Sequence, residues 1–66
     1  MHLVINGEER RFTEITSVAS LVAALGLDPR KVAVERNLEI VPRSIYAEIA
    51  LADGDRIEIV HFIGGG

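Results

Sequence analysis

Between Ser17 and Gly26 the chain has room for one short helix and nothing longer, and this limits the fold more than any other stretch. Ser17 is a good N-cap, and Val18, Leu21, Val22 and Leu25 fall at i, i+3, i+4 and i+7 as a single apolar stripe. Gly26 is the matching stop: glycine adopts the left-handed conformation past a helix end cheaply, and Leu27 can then fold back on the last turn. A helix of about nine residues is unstable alone, so the stripe must pack on another element, and a sheet face is the available partner. At 66 residues without cysteine the chain is near the lower limit for burying a core unaided. One domain, without a second, is expected from this length.

The sheet is read from short alternating runs. Leu3-Val4-Ile5 is followed by Asn6-Gly7, a hairpin signal because both residues tolerate the positive φ of a type I′ turn. With Asn6 and Gly7 as the turn, Ile5 faces Glu8 and Leu3 faces Arg10, so Leu3, Ile5 and Phe12 share a face. Arg10 falls on that face too, either with its stem packed and its head in water near an open edge, or moved off it by a longer turn. Asp28-Pro29-Arg30 reads as a turn, Val32 to Arg36 as a strand with Val32 and Val34 inward, and Asn37 as its break. Ile40-Val41-Pro42 and Ile45-Tyr46 read as an irregular loop with a short helical turn, since Pro42 argues against a central strand, and Leu51 anchors the loop in the core. Asp53-Gly54-Asp55 is a tight turn whose carboxylates accept backbone N–H bonds. With no histidine or third carboxylate near in sequence, that role outweighs metal or acid–base work.

The last strand, Arg56 to Phe62, puts Ile57 and Ile59 on one face and Glu58, Val60 and Phe62 on the other. A single helix covers one face only. Val60 and Phe62, together with Val4, are therefore expected to form an exposed apolar patch beside Gly64, Gly65 and Gly66. Three glycines make a thin tail that can enter a narrow cleft. If the chain ends at Gly66, the tail carries a carboxylate, ionised at neutral pH and a poor electrophile until an outside enzyme activates it. The plain alternative is a frayed terminus. His2 and His61 pair with no nucleophile at readable spacing and are assigned no catalytic role.

Composition removes several other classes. A hydrophobic content of 48% is far above a disordered profile, and a net charge of -3 with seven basic residues scattered from Arg10 to Arg56 argues against a nucleic-acid surface. No apolar run nears the ~20 residues of a membrane span, and no signal peptide is visible. The lack of cysteine excludes a thiolate nucleophile and fits a cytoplasmic setting.

The order hairpin, helix, strand, irregular segment, strand is that of an α+β, ubiquitin-like β-grasp, a mixed four- to five-stranded sheet with one main helix on one face. At this point the residues resemble the ThiS/MoaD family, and within it the ThiS sulfur carriers, over essentially the whole chain. The shared segments are Asn6-Gly7, Val-Glu-Arg-Asn at 34 to 37, Ile-Val-Pro-Arg at 40 to 43, Asp-Gly-Asp at 53 to 55, and Ile-Glu-Ile-Val-His-Phe-Ile-Gly-Gly-Gly at the end. Gly64 is less diagnostic than Gly65 and Gly66. The resemblance implies a domain over 1–63 and a glycine tail over 64–66, and a sulfur carrier for the thiazole of thiamine rather than an enzyme. A ThiF-type enzyme would adenylate the Gly66 carboxylate with ATP, no cofactor being bound by the carrier itself. Sulfur from a cysteine desulfurase persulfide would give a thiocarboxylate, and the thiazole synthase ThiG would take that sulfur. By the same resemblance the face of Glu58, Val60 and Phe62, continued by Ile63, docks on the activating enzyme, and the free carrier is monomeric. The small subunit of molybdopterin synthase, a protein modifier linked through Gly66, and a passive interaction domain are the rival expectations.

Overall fold

The computed structural model describes residues 1–62. Two β-hairpins, one helix and a long last strand build a five-stranded sheet of β1 (His2–Ile5), β2 (Glu8–Arg11), β3 (Val32–Arg36), β4 (Glu39–Val41) and β5 (Arg56–His61) in the order β2-β1-β5-β3-β4, the β-grasp arrangement. Strands β1 (His2–Ile5) and β2 (Glu8–Arg11) pair antiparallel, with Leu3 opposite Arg10 and Ile5 opposite Glu8. This is the register that a two-residue turn at Asn6 (φ 49) and Gly7 (φ 84) requires. Arg10 stays exposed, its guanidinium carbon 5.3 Å from the centroid of the half-buried Phe12 ring, so a cation–π contact covers the edge of the core there.

Helix α1 (Val18–Ala24) is two residues shorter than the apolar spacing implies, because Leu25 serves as its C-cap. Its N–H groups at the start are all satisfied. Ser20 donates to the Ser17 hydroxyl at 3.2 Å, Val18 to the Ile49 carbonyl at 3.0 Å and Ala19 to the Tyr46 carbonyl at 2.9 Å. In return the Ser17 N–H donates to Ser20 Oγ, completing a capping box with serine in place of the usual acid. At the other end Gly26 (φ 73) donates to the Ala23 carbonyl and Leu27 to that of Val22, the two bonds of a Schellman ending. Val18, Leu21 and Val22 are buried against Leu3, Ile5, Val34 and Ile57 on one sheet face.

A 3-10 turn (Pro29–Lys31), capped by Asp28, leads into β3 (Val32–Arg36), with Val32 and Val34 buried. The segment expected to be an irregular loop contains a further strand, β4 (Glu39–Val41), and then a 3-10 turn (Arg43–Ile45). Asn37 (φ 50) and Leu38 (φ 71) are both left-handed and fold the chain into a hairpin, so Val34 faces Val41. Pro42 is compatible with this because β4 is an edge strand that ends just before it. Strand β5 (Arg56–His61) lies between β1 and β3, parallel to the first and antiparallel to the second; the pairing stops at His61, one residue before the expected Phe62. No helix among the described residues is long and apolar enough to cross a membrane.

Candidate functional site at the end of the central strand

Strand β5 is tied at both ends. At its start the Asp53-Gly54-Asp55 turn has the expected structural role: Asp53 Oδ1 accepts the His2 N–H at 2.6 Å, and Asp55 Oδ2 accepts that of Ala52 at 2.8 Å. Asp55 also accepts from Arg36 Nε at 2.8 Å and from the Asn37 side-chain amide at 3.0 Å, joining the β3–β4 turn to the beginning of β5. Burial alone would raise the Asp55 carboxyl. The Ala52 N–H, the Asn37 amide and the Arg36 guanidinium together hold it below the usual carboxylate range.

Midway along β5 the first hairpin turns away, and the side chain of Asn6 takes over from the backbone of β1. Its Oδ1 accepts the Ile59 N–H at 2.7 Å, and its Nδ2 donates to the Ile59 carbonyl at 3.2 Å. The central strand therefore keeps its hydrogen bonds past the point where its parallel neighbour ends. From the sequence alone Asn6 reads only as a turn former. At the far end the Phe62 N–H donates to the Lys31 carbonyl at 2.9 Å, so the backbone is anchored up to the last described residue.

The strand alternates as expected, with Ile57 and Ile59 buried under the helix and Glu58, Val60 and Phe62 exposed on the opposite face. Val60 remains 61% exposed and Phe62 49%. Val4 is half-buried on the same outward parity. His61 lies on the helix side, where it borders an open depression of about 250 Å³ with Arg10, Leu25, Leu27 and Ile59. His2 sits 3.5 Å from the Glu9 carboxylate at the other end of the sheet. Ile63, Gly64, Gly65 and Gly66 lie outside the described residues.

The ThiS family model matches residues 3–66. The chain belongs to the ThiS family. It is 43% identical to the sulfur carrier protein ThiS of Bacillus subtilis, over 97% of this chain and 98% of that protein. It is 65% identical, over its whole length, to part of a thiazole synthase of Paramagnetospirillum magneticum. The chain spans about a fifth of that protein and of a second thiazole synthase, from Magnetococcus marinus. The fold agrees with the crystal structure of a ThiS protein of Geobacter metallireducens at a TM-score of 0.85 and 32% identity, covering all of both chains. A ThiS-type β-grasp thus carries the outward residues of β5 a short way before Gly64, Gly65 and Gly66 in the sequence.

Proposed function

We propose that this chain is a sulfur carrier in thiamine biosynthesis, its working group being the carboxylate of Gly66. The observation that carries this reading is the near end-to-end similarity to the Bacillus subtilis sulfur carrier, combined with a central strand anchored up to Phe62. The four residues from Ile63 to Gly66 can span at most about 14 Å, so the activating nucleotide must sit within that distance of the docked strand end. A ThiF-type enzyme binds ATP and presents its α-phosphorus to the tail. The carboxylate oxygen attacks the α-phosphorus, pyrophosphate leaves, and the acyl adenylate makes the carbonyl carbon electrophilic. A persulfide from a cysteine desulfurase then adds its terminal sulfur to that carbon and AMP departs. A further thiol cleaves the S–S bond, leaving the thiocarboxylate on Gly66 and a disulfide on the donor side. The thioacid is the nucleophile offered to thiazole synthase, and the similarity to proteins of that name favours this acceptor over molybdopterin synthesis. The carrier holds and addresses the tail, while activation and ring formation occur on the partners.

Incubating the full chain with a ThiF-type enzyme, ATP, a cysteine desulfurase, cysteine and a thiol reductant should raise its intact mass by the difference between sulfur and oxygen. Deleting Gly66 should abolish the change and leave the unfolding transition in place. A chain with a free Gly66 carboxylate that is neither adenylated nor thiolated refutes the proposal. An amine-linked product would transfer the reading to a protein modifier.

A further inference from the structure

The strand order sets two carboxylates against each other. Glu58 on β5 and Glu35 on β3 are direct cross-strand partners, and both fall on the face away from the helix. Side chains so placed have Cβ atoms only about 5 Å apart, and like charges there destabilise a sheet. The next residue in the same row is Ile40 on β4, opposite Glu35 and 78% exposed, and on the neighbouring row Val60 faces the exposed Ala33. Arg56 lies two residues from Glu58 with the same parity, one row away along β5 rather than across from either carboxylate. Among the described residues, the ion pairs join His2 to Glu9, Arg30 to Asp28 and Arg36 to Asp55, and none includes Glu35 or Glu58. The hairpin beyond Ile40 adds a second anomaly. Leu38 is 84% exposed and occupies a left-handed turn position that is strained for a residue with a branched side chain.

Resting on the carrier reading, we infer that the docking surface extends from β5 across β3 onto the β4 hairpin, and that its partner is a protein surface seating one cationic side chain between Glu35 and Glu58. Exposed Ile40, Val60 and Phe62 provide the apolar contact around that charge. A guanidinium fits the pair well, since it can bond two carboxylates at once through its planar fork. The repulsion tolerated in the free sheet then becomes attraction in the complex, which selects for a basic partner and against an acidic one.

The test compares the unaltered chain with Glu35→Gln, Glu58→Gln and the double variant as substrates for adenylation by the ThiF-type enzyme. Each single substitution should raise KM about threefold or more at low ionic strength with kcat unchanged, the mark of lost binding. The double variant should rise by less than the product of the two because one cation serves both. High salt should shrink every ratio. In the same series the urea midpoint of Glu35→Gln should rise, since the substitution relieves repulsion; a purely structural role would lower it. If the unaltered chain is adenylated but Glu35→Gln leaves KM unchanged, this inference is overturned and the carrier reading stands. If the unaltered chain is not adenylated, both are overturned.

Discussion

Removing the Asp55 carboxylate should destabilise the domain by about 2 kcal/mol. Asp55 is 7% exposed as a residue, and its carboxylate accepts three hydrogen bonds, one from a guanidinium. Losing one member of a fully buried ion pair costs roughly 3–5 kcal/mol. Here the Arg36 side chain is 33% exposed and Asn37 is exposed, so both recover water in Asp55→Ala and the cost falls below that range. The total stability of a domain this size is roughly 3–10 kcal/mol. With a urea m-value of about 1 kcal/mol/M, the midpoint should move down by about 2 M at neutral pH. Asp55→Asn should cost nearly as much, because the new amide turns one of its two positions into a donor facing donors. The pH dependence gives an independent check. Because the folded carboxyl lies below its unfolded value of 3.8, the unfolded state binds more protons between the two values. Its stabilisation is present above that unfolded value and lost as pH falls through the folded one. The unaltered protein should therefore lose more stability on acidification below about pH 4 than Asp55→Asn does. A midpoint change worth less than about 0.5 kcal/mol for Asp55→Ala, or parallel acid limbs, would refute the clamp.

Three further outcomes test the frame around the site. Asn6→Gly keeps the left-handed turn but removes both side-chain bonds to Ile59; stability should fall by about 1–2 kcal/mol and the Ile59 amide should lose its protection from hydrogen exchange. Leu38→Gly should stabilise the free domain by about 1 kcal/mol in the same urea assay, because it removes the strain of the left-handed leucine and creates an Asn-Gly turn. Phe62→Asp should shift the unfolding midpoint by less than about 0.5 kcal/mol while weakening adenylation by the partner; severe unfolding would place Phe62 in the core.

Where the physics was local, the sequence was readable. The start and stop of α1 follow from Ser17 and Gly26, and the β1–β2 register from Asn6-Gly7, because each is set by groups within a few residues of one another. Strand β4 was not readable. It has three residues, its turn is Asn-Leu rather than Asn-Gly, and Pro42 follows it, so its existence depends on pairing with β3. The same holds for the site. Alternation along β5 placed Glu58, Val60 and Phe62 on one side without knowledge of their neighbours, but nothing near Asn6 in sequence indicated that its side chain would complete the pairing of Ile59.

The sequence by itself determined the helix ends, the first hairpin, the inward and outward faces of β1, β3 and β5, and the terminal run of three glycines. Only the tertiary structure decided that β5 lies between β1 and β3 and that Glu58 therefore meets Glu35. Side-chain parity comes from the two-residue repeat of one strand, whereas the identity of a cross-strand neighbour depends on which distant segments the core brings together.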